Sequence, residues 1–219
     1  MAEGPREVER AARAGLAVRD IYLAPELIAD WPGDPVTEVS ARVLRHMSYR
    51  AEPEGVLAVV EIPDRSLPPS PTLILVAVGI EKPGNLGAMA RTADAAGADA
   101  LLVGDAQADP WNPNAIRAST GAVFTLPIVE TTPVEFRDLP LQKVAATLDA
   151  TTPHTEADLT GPSAILIGAE DAGLSEEWRA VADVEVQIPM HGTSTDSLNA
   201  SAAAAVLLFE ATRQRATAP

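Results

Sequence analysis

The sequence predicts an α/β protein in which a mostly parallel sheet is covered by helices on both faces. From Thr72 onward, short apolar runs without polar alternation are separated by helical segments, which is typical of parallel strands buried on both sides. One of these runs, LILVAVGI, continues into a glycine-containing turn and a helix. This order of strand, turn and helix is typical of α/β proteins that bind a ligand at the end of the sheet.

The elements of this larger unit follow in chain order. We predict strands over LILVAVGI, ALLVG, TLPIV, KVAATL, SAILIG and VEVQIP. We predict helices from Leu86 to about Ala96, near Pro113–Thr120, over SEEWRAVAD, and through the alanine-rich end to about Arg215. In the first of these helices the apolar residues recur at helical spacing and should pack on the sheet, whereas Arg91 lies on another face.

The first 62 residues predict a smaller α/β unit. PREVERAARAG predicts a helix closed by Gly15, VRDIYL and GVLAVVEIP predict strands, and VTEVSARVLRHMS predicts a short strand that runs into a helix. PDRSLPPSPT holds four prolines in ten residues and predicts an extended linker. We therefore divide the chain into a small domain at residues 1–62, a linker at 63–71 and a larger domain at 72–219.

Composition excludes several classes of site. The absence of cysteine rules out disulfides and thiolate metal sites, and the three widely spaced histidines do not form a metal-binding pattern, so we expect no metal. No stretch has the length and apolarity of a membrane span or of a signal peptide, so we expect a cytoplasmic protein without a membrane partner. The net charge of −15 has the wrong sign for a general nucleic-acid binder, so a nucleic acid would have to meet local arginine clusters.

Three segments carry candidate chemistry, and each also has an ordinary structural explanation. Arg91 could simply pair with Asp94 on the helix surface, and Gly84-Asn85 could be only a turn and a helix cap. Glu170 follows a buried strand in a glycine-containing loop, where it is either a candidate acid or base or a solvated carboxylate. The hydroxyls of TSTDS could serve only to cap the last helix.

Taken together and in this order, the segments resemble the motifs of a known family. NLGAMART (85–92), GAEDAGLS (168–175) and IPM followed by SLNAS (188–201) resemble the three motifs of the SpoU family of RNA ribose 2′-O-methyltransferases. NPNAIRASTGAVFTLPI (112–128) resembles the segment between the first two motifs, so the likeness covers residues 72–215. EGPREVERA and EPEGVLAVV resemble the small N-terminal RNA-binding domain of many members.

The resemblance implies a fold, a reaction and partners. It implies a C-terminal trefoil knot that binds S-adenosylmethionine, and a homodimer in which the alanine-rich last helix lies at the interface. The implied reaction is methylation of a ribose 2′-hydroxyl in ribosomal RNA or transfer RNA, and the two-domain layout favours ribosomal RNA. A catalytically weak RNA-binding or ribosome-assembly factor with the same fold is the alternative. A dinucleotide-dependent oxidoreductase is disfavoured because the chain lacks G-x-G-x-x-G.

The resemblance also assigns residues. It places the reaction centre at Arg91, Asn85, Glu170, Ser197 and Asn199. It places the cofactor pocket at Gly168, Ile188 and Leu198, with Thr147 and Leu148 as further candidates. We expect RNA to contact Arg91 and Arg117 near the cleft and, on the N-terminal unit, Arg6, Arg10, Arg13, Arg42, Arg45 and Arg50. For the N-terminal arginines, a solvated helix face balanced by neighbouring glutamates is the competing explanation.

Arg91 is expected to act as a cation. A guanidinium is not deprotonated in proteins, so we expect it to hold a phosphate and stabilise the developing oxyanion, while the proton leaves through the phosphate, Glu170 or water. Two departures from the family pattern bear on this site. Four residues, 193–196, replace the usual three before Ser197, and His191 lies beside them. Many relatives also carry a basic segment before EGPR, which leaves open whether the N-terminal unit lacks its first elements.

Overall fold

A computed structural model describes residues 1–32, 36–194 and 196–217, which form two sheets. The first is a four-stranded mixed sheet with two helices. Its strands, in spatial order, are β1 (Ala2–Glu3), β4 (Val56–Val60), β2 (Val18–Leu23) and β3 (Thr37–Glu38), and its helices are α1 (Pro5–Arg13) and α2 (Ala41–Met47). Strand β4 pairs antiparallel with β1 and β2, whereas β2 and β3 are parallel.

The second sheet has seven strands, and every neighbouring pair is parallel. In chain order they are β5 (Leu73–Val78), β6 (Ala100–Gly104), β7 (Ile128–Thr131), β8 (Gln142–Ala146), β9 (Thr152–Pro153), β10 (Ser163–Ile167) and β11 (Val184–Gln187). The spatial order is β7-β6-β5-β10-β8-β11-β9. The helices are α3 (Pro83–Ala95), α4 (Pro113–Ser119), α5 (Pro133–Arg137), α6 (Glu176–Arg179) and α7 (Ala200–Thr217).

Both faces of the parallel sheet are buried, which confirms the predicted fold class. Alternate residues of β5 point to opposite faces: Leu75 packs in one apolar cluster with Met89 of α3, and Val76 packs in another with Trp178 of α6. All six residues of β5 and all five of β10 are buried. Double burial is therefore the physical cause of the apolar runs without alternation.

The N-terminal sheet packs against the larger one. Val8 and Val56 belong to the same apolar cluster as the β5 and α3 residues. The Arg65 guanidinium, in the proline-rich segment between the sheets, donates to the carbonyl of Phe124 at 2.6 Å and to that of Thr125. The division at residues 62 and 72 stays a prediction, and this segment has no regular secondary structure.

The observed elements differ from the predicted ones mainly at their ends. Helix α3 begins at Pro83 because proline suits the first helical position, and α6 has four residues where SEEWRAVAD predicted nine. The two-residue strands β1 and β9 are too short to give a sequence pattern, and α5 was not predicted although Thr132 and Glu135 form a capping box.

Strand order does not describe a knot, so the trefoil knot stays a prediction. Among the described helices, none is long and apolar enough to cross a membrane.

Helices α3 and α4 approach closely at a glycine. A methyl group on Gly87 would overlap the backbone carbonyl of Ala115 in α4. Backbone atoms cannot move aside as the end of a flexible side chain can, so only glycine fits this contact. Gly84, one turn earlier, has open space around the corresponding position.

We therefore expect Gly87→Ala to lower the free energy of unfolding by about 1–3 kcal/mol, because α4 must shift away from α3. Gly84→Ala is the matched control and should change it by less than about 1 kcal/mol. Urea unfolding followed by circular dichroism measures both values. Equal stability of the two variants would show that the contact between the helices is looser than described.

Candidate functional site

A cavity of about 250 Å³ opens at the carboxyl ends of β8, β10 and β11. Ligands in open α/β sheets bind at this edge because the loops that follow parallel strands meet there. The five residues predicted to form the cofactor pocket all line this one cavity; they are Thr147, Leu148, Gly168, Ile188 and Leu198. The sequence motifs therefore converge on one place in the fold, although a cofactor role for these residues stays a prediction.

A tight loop after β10 forms one wall of the cavity. The backbone amides of Ala169 and Gly173 each donate to the other's carbonyl, at 3.2 and 2.9 Å. Gly173 adopts a φ of 67°, which favours glycine. A methyl group on Gly168 would overlap the backbone of Gly173 and Leu174, so the loop can fold back onto the strand end only with glycine there.

The facing wall comes from the ends of β8 and β11. The Thr147 amide donates to the carbonyl of Val186 at 2.9 Å, which joins the two strand ends. The Thr147 hydroxyl is buried beside the Asp149 carboxylate. Leu148, by contrast, is 69 % exposed at the cavity. A ligand with both apolar and hydrogen-bonding groups would fit such a wall.

Beside the cavity, a cluster of polar side chains surrounds Glu170. Asn85 donates from Nδ2 to Glu170 Oε1 at 2.9 Å, and Asn199 Nδ2 donates both to that oxygen and to Asn85 Oδ1, the latter at 3.2 Å. Lys82 Nζ donates to Glu170 Oε2 at 2.7 Å. Three of the five predicted reaction-centre residues are thus hydrogen-bonded to one another, and the fourth, Ser197, lines the cavity.

The electrostatics of this cluster keep Glu170 ionised. The hydrogen bond from Lys82 is the main cause that lowers the pKa of Glu170, and its charge and the Asn85 amide add to it. The same hydrogen bond raises the pKa of Lys82. A carboxylate with a lowered pKa is a weak proton acceptor. Glu170 is therefore better suited to hold its neighbours in place than to take a proton from a substrate.

Arg91 stands apart from the cluster. It lies six residues after Asn85 on α3, about 9 Å farther along the helix axis, and is exposed. The alternative explanation, an ion pair with Asp94, is not formed within the described residues. On the adjoining helix α4, the Arg117 guanidinium donates a hydrogen bond to Asn114 Oδ1 at 2.7 Å, which orients the Arg117 side chain. Two arginines thus lie on neighbouring helices outside the apolar core.

The loop before Ser197 is described only in part. Thr195, one of the four residues that depart from the family spacing, lies outside the described residues. Ser197 and Asn199 are both exposed, and His191 is exposed in the same segment. The Asn199 side chain also accepts hydrogen bonds from the Ser201 amide at 3.0 Å and its hydroxyl at 2.6 Å, which caps the start of α7.

Two of the arginines predicted to contact RNA, Arg10 and Arg50, form contacts within the protein. The Arg50 side chain is only 18 % exposed and forms ion pairs with Glu3, Glu7 and Glu54. Arg10 donates to the carbonyl of Thr120, so it joins α1 to the larger unit. Their guanidinium groups donate to protein acceptors, so we leave both out of the RNA surface that we propose, and their contact with RNA stays a prediction.

The other N-terminal arginines remain at the surface. Arg13 forms an ion pair with Glu9 at 3.3 Å, which agrees with the competing explanation that neighbouring glutamates balance the arginines of a solvated helix face. Arg6, Arg42 and Arg45 are exposed and form no ion pair within the described ranges. Their contact with RNA stays a prediction.

The sequence analysis missed two cations at the site. One is Lys82, whose position immediately before the glycine turn could have suggested a role. The other is Arg179, which donates to Glu185 of β11 at 2.7 and 2.8 Å and to Asp149 at 3.1 Å. These hydrogen bonds, with Glu185 first, raise the pKa of Arg179, and Arg179 in turn lowers the pKa of Asp149. Arg179 and Asp149 both line the cavity.

Within residues 1–32, 36–194 and 196–217, no group of three or more histidine, aspartate or glutamate side chains is placed to hold a metal ion.

Comparison with known proteins identifies the family. The SpoU rRNA Methylase family matches residues 72–209, and the MRM3-like substrate binding domain matches residues 1–58. A 23S rRNA (uridine(2479)-2′-O)-methyltransferase of Streptomyces viridochromogenes is 37 % identical over 97 % of this chain and 82 % of its own length. The 23S rRNA (guanosine(2553)-2′-O)-methyltransferase RlmP of Bacillus subtilis is 30 % identical over 94 % of this chain and 86 % of its own length.

Solved structures show the same likeness. An RNA 2′-O ribose methyltransferase matches 98 % of this chain and 88 % of its own, with 42 % identity and a TM-score of 0.84. The SpoU methyltransferase AviRb from Streptomyces viridochromogenes, in complex with the cofactor AdoMet, matches 99 % of this chain and 90 % of its own, with 32 % identity and a TM-score of 0.88. The N-terminal unit matches the MRM3-like substrate binding domain, and the predicted family is confirmed: this chain belongs to the SpoU rRNA Methylase family.

Proposed function

We propose that this protein transfers the methyl group of S-adenosylmethionine to a ribose 2′-hydroxyl of 23S ribosomal RNA. The observation that carries the proposal is the contact between the cavity and the polar cluster, since Glu170 belongs to both. A methyl donor in the cavity would therefore lie beside the side chains available to orient a substrate oxygen. The relatives named above are ribose methyltransferases of 23S rRNA, which supports this substrate.

The cavity fits S-adenosylmethionine. When bound, this cofactor would supply a methyl group on a positively charged sulfur, so that an oxygen nucleophile would bond to the methyl carbon while the sulfur leaves as a neutral thioether. Leu148, Ile188 and Leu198 provide apolar surface, and the Thr147 hydroxyl provides a hydrogen-bonding group, as the adenosine part of such a molecule requires. Gly168 lets the loop that lines this cavity fold back against the end of β10, because a side chain there would overlap the backbone of Gly173 and Leu174.

The chain's own residues orient the nucleophile and stabilise charge. Asn85 and Asn199 donate to Glu170, which lines the cavity, and Ser197 adds a hydroxyl to the cavity wall. We assign Arg91 to the RNA, because its guanidinium is exposed and has no acidic partner within the described residues. It can bind a phosphate through two N–H groups and stabilise negative charge as the 2′-oxygen loses its proton.

The RNA surface that we propose is small and local. It comprises Arg91 and Arg117 near the cleft and, on the N-terminal unit, Arg6, Arg42 and Arg45. Each of these guanidinium groups is exposed, whereas the protein as a whole carries a net charge of −15. Binding to RNA should therefore depend on these few positive groups and weaken as salt is added.

Replacement of Arg91 tests the proposed chemistry. Arg91→Ala should lower methyl transfer into unmodified 23S rRNA by at least about 100-fold, since it removes a group that stabilises developing charge. Arg91→Lys should recover less than about a tenth of the activity because an ammonium cannot make the two parallel contacts. Transfer of labelled methyl from S-adenosylmethionine, followed by location of the label on ribose, measures both.

Arg137→Ala is the matched control, since Arg137 is exposed and makes no ion pair among the described residues. It should retain full activity. If the unmodified protein binds S-adenosylmethionine but methylates no RNA, the proposal fails in favour of an RNA-binding or assembly factor with the same fold.

The Arg179 ion pairs should affect the affinity for S-adenosylmethionine. Arg179 connects α6, β11 and the segment after β8, all of which contribute residues to the cavity. Arg179→Ala should raise the Kd of S-adenosylmethionine by about tenfold, because binding would then have to order these segments. Isothermal titration calorimetry measures the effect, again with Arg137→Ala as control. An unchanged Kd would mean that these segments hold their positions without Arg179.

We further propose that the protein forms a homodimer through α7. Ala202 and Phe209 are exposed on this helix, and Val206 is partly exposed between them, at spacings that place all three on one face. Phe209 is 49 % exposed, which is unusual for a large apolar side chain on a long helix. Because α7 begins next to Asn199, a partner on this face would lie close to the reaction centre.

Phe209→Asp should convert the dimer into a monomer, since a charge in an apolar interface loses its hydration without gaining a partner. Light scattering after size-exclusion chromatography measures the mass directly. Ile62→Asp is the control, because Ile62 is also exposed, at 63 %, but lies outside α7. A monomeric unmodified protein, or a dimer that survives Phe209→Asp, would contradict this interface.

A further inference from the structure

Lys82 and Glu170 form the ion pair closest to the reaction centre, and the function described so far does not use it. Their Nζ and Oε2 atoms lie 2.7 Å apart. Lys82 directly precedes α3, and its carbonyl accepts the amides of Asn85 at 3.0 Å and Leu86 at 3.2 Å. The backbone of Lys82 thus anchors the helical turn that carries Asn85, while its side chain reaches the carboxylate to which Asn85 donates.

We infer that Lys82 is a positioning residue: its ammonium group holds Glu170 as an oriented carboxylate, and Glu170 in turn orients the amides of Asn85 and Asn199. The inference rests on the proposed methyl transfer for its catalytic consequence. The arrangement itself is a property of the protein without substrate and can be measured separately.

The two carboxylate oxygens have different partners. Oε1 accepts from Asn85 and Asn199, whereas Oε2 accepts from Lys82. A carboxylate held at both oxygens cannot rotate about its terminal bond without breaking one set of contacts. Lys82 therefore fixes the direction in which Oε1 faces the two amides, even though Lys82 itself lies farther from the cavity than Glu170.

The charge on Glu170 decides which way the amides point. An ionised carboxylate only accepts hydrogen bonds, so both asparagines must turn their N–H₂ groups toward it. The remaining amide oxygens are then directed elsewhere: Asn85 Oδ1 accepts from Asn199, and Asn199 Oδ1 accepts from Ser201. A protonated Glu170 could donate instead, and this single orientation would be lost.

Lys82 is well placed to preserve that charge. Glu81 and Asp171 also lie near its ammonium group and, after Glu170, add to the rise in its pKa. The ammonium thus stays protonated in a strongly acidic setting. Without it, Glu170 would keep the Asn85 amide and the nearby Ala200 amide as weaker stabilisers and would face acidic neighbours alone. Its pKa would then rise.

The loss of activity at low pH should depend on the charge of Glu170. In the unmodified protein the lowered pKa keeps Glu170 ionised to lower pH than an ordinary glutamate. In the Lys82→Met variant, as pH falls, Glu170 should become protonated at a higher pH than in the unmodified protein. If catalysis needs the oriented carboxylate, the acid limb of the pH–rate profile moves to higher pH in the variant, and the plateau falls because the amides are less ordered.

The experiment compares Lys82→Met with Lys82→Arg, which keeps the positive charge, and with Arg137→Met, which removes an exposed charge elsewhere. We expect Lys82→Met to lower kcat about ten- to hundredfold and to shift the acid limb upward, with little change in KM for S-adenosylmethionine. Lys82→Arg should restore most of kcat and the original acid limb. Arg137→Met should match the unmodified protein in both.

A second measurement needs no RNA. Carbon-13 NMR of labelled glutamate side chains, with the Glu170 signal assigned by its loss in Glu170→Gln, should show a higher pKa for Glu170 in Lys82→Met. The chain has only two lysines, and Lys143 is buried, so carbon-13 methylation of lysine amines reports Lys82 almost alone. The pKa of Lys82 should fall in Glu170→Gln.

The two measurements separate the possible failures. If the NMR shifts appear but the unmodified protein methylates no RNA, the proposed function fails while the coupling of Lys82 to Glu170 stands. If the protein methylates RNA but Lys82→Met leaves the Glu170 pKa and the acid limb unchanged, the positioning role is overturned. A loss of kcat that Lys82→Arg does not restore would also overturn it, because a role in packing alone would then suffice.

Discussion

The structure depends on burial of both faces of the central parallel strands. Strand β10 is hydrogen-bonded to β5 on one side and to β8 on the other, and each of its residues is buried. Because no residue of β10 can reach water along its length, the strand ends are the first places where polar groups can gather. The cavity lies at the end of β10, and Glu170 stands three residues beyond Ile167.

Local charge, rather than net charge, organises the site. The chain has 16 basic and 31 acidic residues, so an acidic partner is available for most cations. Lys82 and Arg179 form ion pairs with carboxylates that border the cavity, whereas Arg91 is exposed and forms no ion pair within the described residues. Cations with acidic partners thus stabilise the shape of the site, and an exposed cation remains for a negatively charged substrate.

The N-terminal unit shows why a sequence stripe is an incomplete guide to a binding surface. Arg6, Arg10 and Arg13 share one helical face by their spacing, yet Arg10 is directed to a carbonyl 110 residues away and Arg13 to Glu9. Arg50 likewise neutralises buried Glu3 and Glu7. Spacing defines which residues are neighbours on a helix, but only packing against another unit decides which of them remain available.

The sequence alone determined the fold class, six of the seven strands and four of the five helices of the larger unit, and the family, because double burial and the three motifs leave local patterns. It also pointed to Asn85, Glu170 and Asn199, which lie 29 to 114 residues apart and meet at one carboxylate. The tertiary structure alone decided the partners of that carboxylate. The Lys82–Glu170 pair, the Arg179–Asp149 pair and the Gly87–Ala115 contact join segments 28 to 88 residues apart in the chain, and no local pattern of residues encodes such distances.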